Sequence, residues 1–347
     1  MHMADALLSP AVGGTFWAGT AITIGYASKK LKEEIDDRKI PLMGVLGAFI
    51  FASQMINFTI PGTGSSGHMG GGMILAILLG PHAAFLVMAS VLTVQALFFA
   101  DGGLLALGCN IWNLGIYPCY IAYPLIYKPL AGDASNPRRI FAASLTSAVI
   151  GLLLGAFSVV LETLASGKSE LPFGTFVLLM LPIHFAIGIV EGLVTVGVVR
   201  SVRAVRPEIL ESSKTLGALP RNSSFRNVLA GFVLLAIVIG GVFSWFASAH
   251  PDGLEWSIER ITGKATLPEQ EHGLPAQLKR LQEKTALLPD YGFKRAEEEP
   301  ADTAEASPWP AVDVGTTASG LAGGALVLAL SLATGYLIRA LRKSRAR

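Results

Sequence analysis

The chain has 347 residues, of which 52% are hydrophobic and only 15% charged, with a formal net charge of +2. A soluble globular domain carries about 25% charged residues, so this composition excludes an ordinary soluble protein and favours an integral membrane protein. The two cysteines, Cys109 and Cys119, lack the CxxC spacing of a metal or redox site, and we expect two buried thiols.

The chain begins with Met1-His2, a dipeptide that can supply three nitrogens to one transition metal ion. The α-amine of Met1, the backbone amide nitrogen of His2 and the His2 imidazole would close fused chelate rings. The first residues lack the basic region and the cleavage site of a signal peptide, so we expect Met1 to keep its amine. A fourth nitrogen is available from His68, which follows a Ser/Gly turn. Four nitrogens in a plane suit Ni(II) or Cu(II) and can be made to suit Co(II). The alternatives are a frayed terminus and a helix-capping histidine.

Apolar runs of the length that crosses a bilayer predict a series of transmembrane helices. They cover about 12–28, 41–58, 81–99, 104–126, 140–165, 173–199, 227–249 and 319–341. A shorter apolar stretch, Gly71–Gly80, ends at Gly80-Pro81 and is predicted to be either a short crossing or a re-entrant leg.

Basic residues cluster in three places, and such clusters mark the cytoplasmic side of a membrane protein. The clusters are Lys29–Lys39, Arg200–Arg226 and Arg342–Arg347. The resulting topology places the amino terminus outside, the carboxyl terminus in the cytoplasm, and His68 on the outer side with Met1 and His2. We therefore expect a multi-pass protein of the plasma membrane whose metal site faces outward.

The chain changes character after residue 226. Two spans bracket a polar segment, 250–318, which is rich in Pro, Glu and Ala and is expected to form two short helical pieces and a linker on the outer side. We predict three parts: a membrane domain over 1–200, a basic cytoplasmic linker over 201–226, and a module of two transmembrane helices over 227–347.

The first 200 residues resemble the CbiM/NikM family, the substrate-binding components of cobalt and nickel energy-coupling-factor transporters. The matching stretches are Met1-His2, Leu8-Ser9-Pro10, Gln54-Met55-Ile56-Asn57-Phe58, His68, Gly80-Pro81, Gln95-Ala96-Leu97, Asp101-Gly102-Gly103-Leu104, Leu107-Gly108-Cys109-Asn110, and His184 with Gly188 and Glu191-Gly192. Residues 250–341 resemble the small companion subunit of these transporters. Its signatures are Pro251-Asp252-Gly253-Leu254-Glu255 and Pro289-Asp290-Tyr291-Gly292-Phe293.

The resemblance implies an all-α polytopic membrane protein, with a bundle of about seven helices followed by a two-helix module. It also implies that Met1, His2 and His68 ligate the transported ion, nickel in the first place and cobalt as the alternative. No P-loop motif occurs in the sequence, so we expect the energy to come from a transmembrane coupling component and cytoplasmic ATPases. We expect no cofactor other than the transported ion. The expected partners are these subunits and lipid, and we expect no binding to nucleic acid.

Four polar residues in the apolar runs are further candidates. Asn110 and Asn113 are expected to hydrogen-bond helix ends or to orient His2 or His68. His184 and Glu191, seven residues apart, share one helix face. An ionisable pair at membrane depth is either functional or a structural hydrogen bond between helices, and the sequence leaves both open.

Ala48 and Ala52 form a small-xxx-small pair, which lets another helix approach closely in a membrane. The resemblance makes them candidates for contact with the coupling component, and packing within this chain is the alternative.

Two other functions are compatible with metal-binding membrane histidines. An intramembrane metalloenzyme is disfavoured because the sequence has no HExxH motif. A metal sensor would bind the ion without taking it up.

Overall fold

Long apolar runs fold into long helices in the computed structural model, which describes residues 2–36, 38–168, 171–210, 224–268, 272–294 and 309–344. The helices are α1 Pro10–Glu34, α2 Lys39–Gln54, α3 Gly72–Leu79, α4 Pro81–Phe99, α5 Leu107–Ile111, α6 Lys128–Ala131, α7 Pro137–Ser166, α8 Phe173–Val205, α9 Phe225–Gly241, α10 Gly253–Thr262, α11 Gly273–Thr285 and α12 Val314–Ser344. A π-helical stretch, Trp112–Tyr127, joins α5 to α6. Two short strands, β1 Phe58–Ile60 and β2 Ser65–Gly67, form an antiparallel hairpin.

Four of these helices, α4, α7, α8 and α12, are long and apolar enough to cross a membrane, and α2 and α9 are shorter apolar helices. The prediction was an all-α polytopic membrane protein; the chain is a mostly helical multi-pass membrane protein that also carries the β1–β2 hairpin. Ser9 caps the amino end of α1 by accepting a hydrogen bond from the Val12 amide, and the helix continues to Glu34, beyond the apolar run.

Helix α3 corresponds to the short apolar stretch before Gly80-Pro81. Its eight residues are all buried and rise about 12 Å, well short of the roughly 30 Å hydrocarbon core. Gly71 and Gly80, at its two ends, both adopt φ of 79°, a conformation that favours glycine. Of the two alternatives, the geometry therefore fits a re-entrant leg.

Helix α2 lies in the middle of the bundle and packs against α4, α9 and α12. A methyl group added at Gly47 would lie 2.9 Å from a side-chain carbon of Val327, so the absence of a side chain lets α12 approach closely. Ala48 is 5% exposed and Ala52 is fully buried. The pair thus packs within this chain, and its contact with a coupling component stays a prediction.

The polar segment 250–318 contains the two expected short helices, α10 and α11. Asp252 and Glu255 form a capping box at the start of α10, which fixes the PDGLE sequence as a helix start. At the opposite end of the bundle, Arg342 of α12 donates to the Ile35 carbonyl after α1 (2.8 Å).

Candidate metal centre

The first described residues are inserted between helices. The backbone amide of Met3 donates to Oδ1 of Asn110 (2.8 Å), and the Met3 carbonyl accepts from the Gly103 amide (2.9 Å). Met3 itself is fully buried. The fixed backbone of Met3 directly follows His2, so the His2 side chain enters the site from a defined direction. That side chain is only 6% exposed. Met1, the first predicted ligand, lies outside the described residues.

Glycine is required where this segment crosses the loop after α4. A methyl group added at Gly103 would overlap the carboxylate of Asp5. The same carboxylate accepts a hydrogen bond from the Ala106 amide (2.9 Å), which ties the amino-terminal segment to the residues after this loop. The glycines of the Asp101-Gly102-Gly103 sequence therefore serve the insertion of the amino-terminal segment.

His68 lies in the loop between β2 and α3, and this loop is fixed from inside the bundle. Both carboxylate oxygens of Glu191 on α8 accept backbone hydrogen bonds, from Gly70 (2.7 Å) and Gly71 (3.0 Å). Gln54 on α2 donates to the Gly70 carbonyl (2.7 Å). The loop can therefore hold His68 at one position relative to the helices.

The two histidines meet at one end of the bundle. Their rings stack with centroids 5.1 Å apart and planes inclined by 11°. Nδ1 of His68 lies 3.1 Å from the Met69 carbonyl, and donation there leaves Nε2 with a lone pair for a metal. Burial, with the charge of His2 nearby, lowers the pKa of His68 to about 3, which keeps its ring neutral. Nε2 of His2 is buried and has no hydrogen-bond partner among the residues that the structure describes.

Asp101 lies beside His2, with its Oδ1 3.0 Å from Nδ1 of that ring. Its other oxygen, Oδ2, accepts a hydrogen bond from the hydroxyl of Tyr291. Burial acts to raise the pKa of Asp101, but the charge and hydrogen bond of His2 and the hydroxyl of Tyr291 hold it well below its ordinary value. The carboxylate therefore stays ionised next to the proposed ligands.

The polar segment that begins at residue 250 forms one wall of the site. The Ser66 amide donates to the Pro251 carbonyl (2.8 Å), which joins the hairpin before His68 to the start of α10. Asp252 faces the same space as His2 and His68. Gly253 packs on α8, where an added methyl group would come within 3.0 Å of Cε1 of His184.

These groups surround a cavity of about 630 Å³ at this end of the bundle. Its walls carry six acidic side chains and one lysine, Lys279, among the described residues. The acidic residues are Asp5, Asp101, Asp252, Glu255, Asp290 and Asp313. A cavity whose charged side chains are mainly carboxylates attracts cations and raises their local concentration.

The polar candidates on the helices divide into two groups. Asn110 contacts the amino-terminal segment and Glu191 contacts the His68 loop, so both support the site through the backbone. His184 donates to its own helix, at the Met180 carbonyl (2.7 Å). Asn113 instead donates to Glu162 on α7 (3.0 Å), away from the histidine pair.

No group of three or more His, Cys, Asp or Glu side chains is arranged to hold a metal ion within the described ranges. The predicted centre has a different composition, because the backbone and the α-amine would provide two of its four nitrogens. Two residues near His2 were not predicted as site residues. Asp101 and Tyr291 each belong to a stretch that carries the family resemblance, but their contact joins residues far apart in sequence.

Residues 2–209 match the family described as cobalt uptake substrate-specific transmembrane region, and residues 226–340 match the PDGLE domain. The chain therefore belongs to the CbiM family of metal transport proteins, with a PDGLE module in the same chain. The fused nickel transport protein NikMN of Rhodobacter capsulatus is 30% identical over 84% of this chain and 88% of its own length. The cobalt transport protein CbiM of Sorangium cellulosum is 28% identical over 63% of this chain and 99% of its own length. The crystal structure of a truncated transition metal transporter superposes with a TM-score of 0.52 and 28% identity, over 59% of this chain and 99% of that one.

Proposed function

We propose that the chain is the substrate-specific component of an energy-coupling-factor importer, which captures Ni(II) at the outer face of the plasma membrane. Four nitrogens would bind the ion: the amine of Met1, the amide and ring nitrogens of His2, and the ring of His68. The chain itself is a transport component rather than an enzyme. A transmembrane coupling component and cytoplasmic ATPases would drive delivery of the ion.

One observation carries this proposal: two histidines 66 positions apart in sequence stack 5.1 Å apart in an acidic cavity. Each is held by its own buried support, Asn110 through Met3 and Glu191 through the His68 loop. Nδ1 of His2, the nitrogen that a chelate ring from the His2 amide would use, faces the carboxylate of Asp101 (3.0 Å), and Nε2 has no partner among the described residues.

Nickel is proposed before cobalt for two reasons. A planar set of four nitrogens favours Ni(II) over Co(II), and a relative that also carries the companion module is named for nickel. Cu(II) would bind such nitrogens more tightly by the general affinity order, so its rejection must come from the rigidity of the site or from metal availability.

The orientation is part of the same proposal. The cavity and α10–α11 lie at one end of the bundle, and the contact between Arg342 and the end of α1 lies at the other. With the basic clusters inside, the cavity opens outward. The division into 1–200, 201–226 and 227–347 is supported by the two separate family matches.

The test is the metal content of carboxy-tagged protein purified in detergent, with Ni(II), Co(II), Cu(II) and Zn(II) offered together. We expect about one nickel per chain and loss of most of the affinity in His2→Ala and in His68→Ala. An amino-terminal extension should also abolish binding, because it converts the amine into an amide. His272→Ala is the matched control, since this histidine is exposed.

Equal binding by amino-tagged and carboxy-tagged protein would exclude the proposed site. Cobalt in place of nickel would keep the mechanism and change the cargo. Uptake into cells that coexpress the coupling and ATPase components separates a transporter from a sensor, which would bind without uptake.

A further inference from the structure

The C-terminal module is hydrogen-bonded to the end of α4 and to the loop that follows it. Nε2 of Gln282 donates to the carbonyls of Ala96 (2.8 Å) and Gly102 (2.7 Å), and the Leu288 amide donates to the Phe98 carbonyl (3.2 Å). These contacts hold the backbone on both sides of Asp101. The side chain of Asp101 then receives a contact of its own from the module.

Asp101 stands between one donor from each part of the chain. Its Oδ1 faces Nδ1 of His2 (3.0 Å), and its Oδ2 accepts from the hydroxyl of Tyr291. The Tyr291 ring is fixed separately, stacked on Phe99 with centroids 5.0 Å apart and planes inclined by 16°. The hydroxyl is therefore aimed by packing that does not involve Asp101.

The ring nitrogen that faces Asp101 is the one that the metal needs. A chelate ring that starts at the His2 amide nitrogen closes through Cα, Cβ, Cγ and Nδ1, whereas Nε2 points away from that backbone. Binding of the ion therefore takes Nδ1 from Asp101. The carboxylate loses one of its two donors, and the Tyr291 hydroxyl is the one that remains.

We propose that Tyr291 is a positioning residue for metal capture, which holds Asp101 in place when His2 turns from that carboxylate to the metal. This inference rests on the proposed function, because it requires His2 to be a ligand. The Tyr291 hydroxyl matters more in the loaded state than in the empty state, since Asp101 then depends on it. Removing the hydroxyl must weaken metal binding.

The expected size follows from the contact. A hydrogen bond to a charged group that matters in the loaded protein, but is partly replaced in the empty one, changes the metal-binding equilibrium by about tenfold when it is removed. Asp101 is 22% exposed, so water from the cavity can substitute in part, and a much larger loss is not expected.

The experiment measures Ni(II) affinity by titration of carboxy-tagged full-length protein in detergent. The variants are Tyr291→Phe, Asp101→Asn and the double variant, with Tyr336→Phe as the control. Tyr336 lies on α12 and is 52% exposed. Phenylalanine keeps the stacking on Phe99, so the thermal unfolding midpoint should remain close to that of the parent.

We expect Tyr291→Phe to bind Ni(II) about tenfold more weakly and Tyr336→Phe to bind like the parent. In the Asp101→Asn background, Tyr291→Phe should change the affinity by less than about twofold, because the hydroxyl acts through the carboxylate. The inference is wrong if Tyr291→Phe binds like the parent, or if the same tenfold loss persists in the Asp101→Asn background. His2→Ala separates a failure of the proposed function from a failure of this inference alone. If that variant binds Ni(II) like the parent, the proposed function fails and the inference fails with it. If His2→Ala loses binding and Tyr291→Phe does not, only the inference fails.

Discussion

The two histidines of the site are held in different ways. His68 is carried by a loop whose backbone is bonded to Glu191 and Gln54, both in the membrane domain and both buried. His2 directly precedes Met3, whose backbone is bonded to Asn110. The ring of His2 faces Asp101, in a loop that is hydrogen-bonded to the C-terminal module. One ligand is thus supported from within the bundle, and the other is supported in part from outside it.

This difference has a functional consequence. A ligand held by buried hydrogen bonds keeps its position whether or not the ion is present. A ligand whose ring contacts a residue that the C-terminal module holds can respond to that module. We therefore expect substitutions of the residues that support the His68 loop to lower nickel affinity more than substitutions around His2 that leave the His2 nitrogens in place.

The largest effect is expected from Glu191→Gln. Glutamine replaces one of the two accepting oxygens with an NH2 group, which cannot accept, so either the Gly70 or the Gly71 amide loses its buried partner and the His68 loop shifts. Loss of such a support typically lowers metal affinity about 10-fold to 100-fold. The measurement is nickel titration in detergent together with the unfolding midpoint.

Glu162→Gln is the matched control for Glu191→Gln. Glu162 is equally buried, on the neighbouring α7, but it accepts from Asn113 and Ser158 instead of the loop. We expect lower stability with little change in nickel affinity. If Glu191→Gln bound nickel like the parent, the loop would have to be fixed by its other contacts.

A smaller effect is expected from Asn110→Ala. This change removes the acceptor for the Met3 amide and the donor to the Met3 carbonyl, so the amino-terminal segment is less firmly inserted. Nickel affinity should fall about tenfold, the size of one or two hydrogen bonds. Asn113→Ala removes a similarly buried amide three positions away, and we expect it to destabilise the protein without weakening nickel binding. Equal losses in both variants would indicate a general loss of structure.

The helices could be predicted from the sequence because apolar length and breakers act locally. The run predicted at 81–99 coincides with α4, and Gly80-Pro81 marks its start. The run predicted at 104–126 falls on a segment that begins as α5 and continues as a π-helix. A change of helical type is not visible in hydropathy, and it explains why Asn110 and Asn113, three residues apart, have unrelated partners.

The contacts of the polar segment 250–318 could not be predicted in this way. Its composition indicates two short helices and a linker, and α10 and α11 are present. The acidic run 297–299 within it lies outside the described residues. The bond from Tyr291 to Asp101 joins residues 190 positions apart, and no periodicity specifies such a pair. Family resemblance singled out both stretches, but only the structure brings them together.

The last prediction concerns the effect of pH on the stability of the metal-free protein, not on metal binding. Burial lowers the pKa of His68 from 6.5 to about 3, so the folded protein keeps the ring neutral where the unfolded chain protonates it. The unfolded state then binds more protons as the pH falls below about 6.5, and stability is lost progressively from there towards pH 3. At pH 5 the loss from this one group is at most about 2 kcal/mol. Unfolding midpoints at pH 7.5 and pH 5 should therefore differ more in the parent than in His68→Gln, which cannot titrate. The same difference in both proteins would mean that His68 is accessible to protons in the folded state, and that its support from within the bundle is looser than the Glu191 contacts indicate.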